Sequence, residues 1–482
     1  MSKRACVAPI SVVDADILLH IVQCLSSIND VFALLQALPR HALDAPLAAL
    51  RTLLPTALKA DQWPQVCIEE IDRRYTSTVL TALPVFRSIR INDLTKLDEV
   101  LRAGSQEYGA DGSATIALAA KWGHKIKSID MSYFQQGNNN GALARILRPC
   151  TGLDEVHICE PSDPSVLEAV TAAAQYVTRM ELLGIGKDTS MRVRWLSTIT
   201  TEPRTLFFES ADDLQLARCI AAAASLTSLT LWQADNVLQA LSNVAAPLLN
   251  MTKLCLHTIS GIEGFLTKCV NLSTLQVLDL AAEGIPMSTC LLELLPRLVA
   301  LRELSLTGCV MDWVDQLDST PAPRHLTVLQ FEACGMDDAT CLALLEWASQ
   351  SPCLKTVTLI ATETVRTEPL QCGRYLRRWI ASSVHRVSLQ CCTVEEKNVL
   401  AIAMALCDTR RSAPFVLHLR DETMTVASYK VLFDALLTCV GVAIEVVELR
   451  IGMRDEIACL ASTLQLQLSD GSDRTLTIQK LH

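Results

Sequence analysis

Short bursts of alternating apolar and polar residues recur along most of this chain. From residue 86 onward the six-residue pattern apolar-x-x-apolar-x-apolar repeats. Clear copies are Leu226-Leu229-Leu231, Met251-Leu254-Leu256, Leu275-Leu278-Leu280, Leu301-Leu304-Leu306, Leu326-Leu329-Phe331, Leu354-Val357-Leu359 and Val384-Val387-Leu389. Weaker copies are Phe86-Ile89-Ile91, Ile126-Ile129-Met131, Leu153-Val156-Ile158, Val177-Met180-Leu182, Leu206-Phe208, Leu417-Leu419, Ile444-Val447-Leu449 and Leu476-Ile478. Because successive strand residues point to opposite faces, each copy predicts a short strand with its apolar residues buried.

The copies are evenly spaced. Their last apolar residues lie at 182, 208, 231, 256, 280, 306, 331 and 359, separated by 23 to 28 residues. Later separations settle near 30, and the longer gap 91–131 predicts an insertion. Between strands, stretches such as 287–299 and 337–349 have the apolar period of an amphipathic helix. One strand and one helix cannot bury an apolar face alone, so the pattern predicts an α/β solenoid with a parallel concave sheet and convex helices.

The segments LRELSLTGCVM, from Leu301, and LTVLQFEACGM, from Leu326, resemble leucine-rich repeats of the cysteine-containing, ribonuclease-inhibitor-like class. The resemblance covers 85–482, which we expect to be a solenoid of about 15 repeats. In that class a Cys or Asn three residues after the last strand leucine bonds the adjoining loop backbone. Cys309, Cys334 and Cys392 hold this position. The resemblance implies a protein-binding fold and says little about which protein is bound.

Residues 1–84 lack the repeat and predict a helical segment. Five apolar residues have the spacing of one helical face, Ile17, Leu18, Ile21, Val22 and Leu25. Helical stretches are also predicted over 31–38, 43–59 and 64–75. The string DADILLHIVQCLSSINDVFALLQALP resembles the opening of an F-box. It departs from that family because Val12-Val13 replaces the usual Leu-Pro, and because the later Trp is missing unless Trp63 stands in for it.

Three interpretations of this segment stay open: an F-box-like domain, a simple cap on the first repeat, or another helical interaction module. The F-box resemblance implies that the five-residue face binds the adaptor of a cullin-type ubiquitin ligase. If the face only caps the repeats, its side chains should be buried near Phe86 and Ile89.

Composition narrows the choice of protein class. Half of the 482 residues are hydrophobic, which excludes a mainly disordered chain, and no apolar run approaches the roughly 18 residues that span a bilayer. The net charge of −10 argues against a nucleic-acid partner. No secretory signal is evident, so the 19 cysteines should be reduced, and we expect a cytoplasmic protein, with the nucleus as the alternative, rather than a secreted one.

No motif for catalysis, metal binding or a cofactor stands out, so we expect a binding protein rather than an enzyme. Its predicted concave face should carry the outward strand residues Phe207, Trp232, His257, Asp279, Glu303, Glu332, Arg386, His418, Arg420, Glu448 and Arg450. Exposed aromatic residues anchor many interfaces, and clustered arginines suit an acidic or phosphorylated protein. The alternatives are an ordinary solvated sheet face and a Trp232 folded into the edge of the core.

Together the two resemblances imply a substrate-recruiting subunit of a cullin-type ubiquitin ligase, which binds its target protein on the concave face. The alternative is a leucine-rich-repeat scaffold or inhibitor-like binding protein without a ligase.

Overall fold

The computed structural model describes residues 15–104, 113–130, 140–159, 179–183, 205–209, 217–218, 220–221, 226–243, 248–258, 260–311, 317, 320–361, 369–390, 396–420, 424–447, 453–470 and 475–480. The chain divides into two compact units, Met1–Ser210 and Ala211–His482, called unit 1 and unit 2 below. The boundary predicted after residue 84 lies inside unit 1.

Unit 1 begins with helices and continues with strands that alternate with helices. Its helices are α1 Ala15–Cys24, α2 Ile28–Ala37, α3 Ala45–Leu53, α4 Thr76–Ala82, α5 Leu94–Gly104, α6 Ala114–Trp122 and α7 Asn140–Leu147. Its strands are β1 Gln65–Cys67, β2 Ser88–Ile91, β3 Ile126–Asp130, β4 Glu155–Cys159, β5 Arg179–Leu183 and β6 Thr205–Glu209. Each strand pairs in parallel with the next. The predicted insertion, 91–131, contains α5 and α6, two helices between one pair of neighbouring strands.

The prediction that the segment 1–84 is all helical is wrong over 64–75. This stretch forms the strand β1 and two short 3-10 turns, Ile68–Glu70 and Arg73–Tyr75. Val66 of β1 is fully buried and pairs with Ile89 of β2. Strand β1 therefore pairs with backbone groups at the edge of β2. A helix at this position would leave those edge groups of β2 without a strand partner.

Unit 2 is a longer series of the same kind. Its strands are β7 Ser228–Trp232, β8 Lys253–His257, β9 Val277–Ala281, β10 Glu303–Thr307, β11 Val310–Met311, β12 Val328–Glu332, β13 Gly335–Met336, β14 Thr356–Ile360, β15 Arg386–Gln390, β16 Arg410–Arg420, β17 Val440–Val447, β18 Leu466–Asp470 and β19 Thr475–Lys480. Its helices are α8 Asp235–Asn243, α9 Ile262–Cys269, α10 Ser288–Leu294, α11 Asp338–Ser349, α12 Pro369–Ala381, α13 Glu396–Leu406, α14 Val426–Leu436 and α15 Met453–Thr463. The helices predicted over 287–299 and 337–349 match α10 and α11.

The main sheet of unit 2 is parallel from β7 to β17, and its register is regular apart from one shift in β16, between Arg410 and Phe415. Leu229, Leu254, Leu278 and Leu304 are aligned neighbours, and each is almost fully buried. The residues between the buried positions, such as Ser305 between Leu304 and Leu306, are half-exposed. The sheet therefore has one apolar face, which contributes to the core, and one open face. Strands β11 and β13 form a separate two-stranded sheet.

Two expectations for the last strands are wrong. The motif Leu476-Ile478 was expected to form another parallel repeat, but β19 runs antiparallel to both β17 and β18. In β17 the buried residues are Val442, Ile444 and Val446, while Val447, expected to point inward, is half-exposed. The strict alternation of β17 explains the second difference, because one residue of shift moves a side chain to the other face.

Cysteine thiols follow the strand ends in the middle of unit 2. Cys334 Sγ donates a hydrogen bond to the carbonyl of Leu306 at 3.2 Å, and Cys309 Sγ lies 3.8 Å from the carbonyl of Leu280. Both thiols are buried. These contacts satisfy carbonyls where the chain leaves the sheet. Cys392, expected at an equivalent place, lies outside the described residues.

Candidate functional site

The open face of unit 2 is formed by the residues of β7–β10, β12 and β14–β17 that alternate with the buried ones. Several of the outward residues expected from the sequence lie on this face. At each of its two ends, polar and aromatic side chains contact one another and form a group. The first lies on β7–β9 and the second on β15–β17. Between them the face carries neutral and acidic side chains, including Glu303 and Glu332.

The first group is built around an aromatic stack. Trp232 and His257 are paired neighbours at the ends of β7 and β8, with ring centroids 5.0 Å apart and planes inclined by 13°. His257 Nε2 lies 3.4 Å from a carboxylate oxygen of Asp279 on β9. The Trp232 side chain is not folded into the core, because 37% of the residue is exposed. This arrangement presents a large, rigid apolar ring to solvent beside an acidic residue.

The second group is a charged cluster. Arg386 Nη2 donates to Glu445 Oε2 at 2.7 Å and lies 3.0 Å from His418 Nδ1. The same carboxylate oxygen is 3.2 Å from His418 Nδ1. Glu445 is thus shared between a guanidinium and an imidazole on the two preceding strands. The positive charge expected here is therefore partly neutralised within the protein.

Other expected members of this surface are less fully described. Arg420 lies at the end of β16 and is half-buried. Phe207 lies in β6 of unit 1, and its side chain is outside the described part of the structure. Glu448 and Arg450 also lie outside the described residues.

Glu445 was missed in the sequence, although a signal was present. Val442, Ile444 and Val446 alternate with a period of two, which places Glu445 on the open face. The six-residue pattern instead aligned Val447 and Leu449 with the inward positions, and so brought Glu448 forward as the acidic neighbour.

The predicted five-residue face of α1 divides into two parts. Leu18 and Val22 are buried, at 3% and 0% exposed, whereas Ile17 and Ile21 are 55% and 44% exposed. Leu25 is half-buried. The helix therefore uses one edge of its apolar stripe for packing and presents the other edge to solvent.

Hydrogen bonds hold α1 beside the segment that leads into β2. Gln23 Nε2 donates to the carbonyls of Pro84 and Val85, each at 3.3 Å. Trp63 Nε1 donates to the carbonyl of Leu25 at 2.9 Å, and its ring packs against Phe86 at 5.8 Å. Trp63 thus has a packing role in holding the end of α1.

A buried acidic group was also missed. Glu69 is 3% exposed, and its Oε1 accepts hydrogen bonds from the backbone N–H groups of Asn92 and Asp93. Its second oxygen, Oε2, is buried without a hydrogen-bond partner among the described residues. Burial raises the pKa of Glu69 above its ordinary value. Glu69 carries no signal in the sequence, because no periodic apolar pattern marks a 3-10 turn.

The described cysteines are free thiols, and burial suppresses the reactivity of many of them. Desolvation raises the pKa of Cys150 and of Cys290 to about 12. A thiol with so high a pKa is a poor nucleophile at neutral pH. The described side chains include no group of three or more His, Cys, Asp or Glu residues placed to hold a metal ion. Among the same residues, no helix has the length and apolarity needed to cross a bilayer.

Proteins similar to this chain are found among solved structures only. No family model matches the chain, and no curated protein matches it. Among solved structures, a leucine-rich repeat-containing protein of Legionella pneumophila, LegL7, matches at 12% sequence identity with a TM-score of 0.32. That match covers 68% of this chain and 95% of the other.

Proposed function

We propose that this protein is a binding scaffold without catalytic activity of its own, and that a partner protein docks on the open face of unit 2. The exposed indole of Trp232, stacked on His257, carries the proposal. A large aromatic side chain held rigid loses little conformational entropy on binding, and such residues dominate the energy of many interfaces. Asp279 and the Arg386–Glu445 pair would contribute polar contacts that select the partner.

The test compares three full-length proteins: the natural chain, Trp232→Ala and Val299→Ala. Val299 is the matched control because it is a large apolar residue, 62% exposed, outside the open-face strands. Circular dichroism first establishes that all three fold alike. Proteins cross-linked to each chain in cell extract are then quantified by mass spectrometry. We expect one set of partners to be lost with Trp232→Ala and kept with Val299→Ala. An identical set for all three chains would exclude Trp232 as an anchor.

The exposed edge of α1 favours a more specific function for this binding scaffold. We propose that α1 binds the adaptor of a cullin-type ubiquitin ligase, so that the chain recruits a substrate by holding it near a ligase supplied by other proteins. Ile17 and Ile21 are one turn apart and exposed, as expected for anchors of a helix that enters a partner's groove. Leu18, Val22 and Leu25, also expected at this interface, would act mainly by fixing α1 in place.

Purified adaptor provides the direct test. Binding of the adaptor to the natural chain should be abolished by Ile17→Asp combined with Ile21→Asp, and unaffected by Val299→Asp. Val299 is a suitable control because it is an apolar residue of unit 2, 62% exposed, outside both proposed binding surfaces. If the adaptor does not bind the natural chain, the ligase role is excluded. The function then reduces to a leucine-rich-repeat scaffold or inhibitor-like binding protein.

A further inference from the structure

A second surface lies on two neighbouring helices of unit 2, α12 and α13. Their approach depends on Gly373: a Cβ atom at this position would lie 2.9 Å from the carbonyl oxygen of Ala401, so a larger residue would push the helices apart. Between them is a cavity of about 220 Å³, lined by Gly373, Arg374, Arg377, Ala401, Met404 and Ala405.

The rim of this cavity is apolar on α13. Met404 is 52% exposed, and Leu400, one turn earlier on the same helix, is 54% exposed. Both are large flexible side chains with more than half of the residue exposed. Exposed neighbouring apolar residues beside a cavity are typical of a site that another molecule covers.

The opposite rim, on α12, is positive. Arg374 and Arg377 are exposed, and neither belongs to an ion pair within the described residues. Arg377 Nη2 donates to the carbonyl of Met404 at 2.8 Å, which fixes its guanidinium across the groove. The neighbouring Arg378 is different, because it pairs with Glu346 on α11. Among the described residues, the cavity lining includes two arginines and no acidic residue, although the whole chain carries a net charge of −10.

The size of the cavity limits its occupant. Sites for drug-sized molecules begin at about 300 Å³, whereas this one holds about 220 Å³ and opens along a helix pair. It therefore suits one or two side chains of a protein segment better than a free small molecule.

We propose that the groove between α12 and α13 binds a peptide segment of a partner protein, in which an apolar side chain is flanked by carboxylates. The apolar side chain enters between Met404 and Gly373, and the carboxylates pair with Arg374 and Arg377. Bidentate contact between a guanidinium and a carboxylate adds orientation as well as energy. The site uses the helical side of unit 2 and does not depend on a partner at the open face.

The test uses full-length protein and fluorescent synthetic peptides with a central Leu, Phe, Ile or Met flanked by Glu or Asp. A matched set replaces every acidic residue with Lys. We expect the acidic set to bind, and binding to weaken at least tenfold with Met404→Glu and with Arg374→Glu. Arg374 is preferred to Arg377 for the charge reversal because Arg377 also bonds the backbone. Raising the salt concentration should weaken binding of the acidic peptides further.

Val299→Glu is the matched control, since it introduces the same charge at an equally exposed apolar residue elsewhere in unit 2. The proposal is overturned if no acidic peptide binds, if the lysine set binds equally well, or if Val299→Glu weakens binding as much as Met404→Glu. Circular dichroism of each variant separates loss of the groove from loss of the fold.

Discussion

Trp232 lies flat against His257, with ring centroids 5.0 Å apart and planes inclined by only 13°. The two residues end adjacent parallel strands, so the sheet itself sets their separation. Asp279, on the next strand, lies 3.4 Å from the imidazole. The partly exposed indole is therefore held in place by the imidazole ring beside it.

Because Trp232 is stacked but not buried, its loss should cost little stability. We expect Trp232→Ala to lower the free energy of unfolding by about 0.5 to 1.5 kcal/mol for the lost aromatic pair, in addition to the burial lost with the covered part of the ring. Trp379 is the matched comparison, since it is 2% exposed and donates to Ser349 Oγ at 2.8 Å. Trp379→Ala should cost about 3 to 5 kcal/mol, as for other buried aromatic residues. Urea unfolding followed by circular dichroism measures both. Equal losses would mean that Trp232 is a core residue.

The Arg386–Glu445 pair should contribute modestly to stability. Its side chains are 42% and 20% exposed, so solvent screens the attraction. A double-mutant cycle with Arg386→Ala and Glu445→Ala should give a coupling energy of about 0.2 to 1 kcal/mol that falls at high salt. A coupling that is larger and insensitive to salt would contradict the exposed geometry.

Glu69 should make stability depend on pH in an unusual direction. Burial raises its pKa above the ordinary value of 4.5 in the folded chain. The folded state therefore keeps a proton that the unfolded chain releases. The stability contributed by this group is complete below pH 4.5 and is lost as the pH rises through the folded pKa. Glu69→Gln, which is always neutral, should gain stability over the natural chain by up to about 1.4 kcal/mol per pH unit within that window.

Glu70 provides a control because its pKa is shifted in the direction opposite to that of Glu69. Desolvation raises its pKa, but hydrogen bonds from Asn92 and Gln62 outweigh that effect, and the pKa is lowered overall. The stability that Glu70 contributes is present above its pKa in the unfolded chain. It is lost as the pH falls through the lower pKa of the folded chain. Glu70→Gln should therefore be less stable than the natural chain near neutral pH. Guanidinium unfolding of the three proteins from pH 4 to 8 measures both trends, and parallel curves for the two variants would refute the assignment.

The attachment of α1 should depend on Trp63. In Trp63→Phe an aromatic ring remains near Phe86, but the donor to the carbonyl of Leu25 is lost, at a cost of about 1 kcal/mol. We expect faster amide hydrogen exchange in α1, with exchange in α13 unchanged. Exchange that rises equally in both helices would indicate general destabilisation rather than release of α1.

The strand positions were predictable because one local rule, an apolar pair two residues apart, recurs at the same interval. Leu304 and Leu306 are buried and Ser305 is half-exposed, as that rule requires. The rule fails where sheet direction changes. The residues Leu476 and Ile478 have the same alternation as a repeat strand, but they lie in a reversed strand, and strand direction leaves no trace in a two-residue period.

The candidate site was only partly predictable for a related reason. Alternation places Trp232 and Arg386 on the open face, but it does not say which side chains meet across strands. The Arg386–Glu445 contact joins residues 59 apart and skips the intervening strand β16. Its formation depends on register across three strands, which the lengths of two connecting segments set. A one-residue error in that register was enough to conceal Glu445.

From β7 to β17, the strands of the main sheet of unit 2 pair in chain order, each with the next. Contacts of this kind close loops of similar, moderate length, so folding can start at any adjacent pair of strands and spread in both directions. Local destabilisation by a substitution should spread between neighbouring strands in the same way. A substitution that loosens β8 would weaken β7 and β9 first, and would affect β15 only through the strands between them.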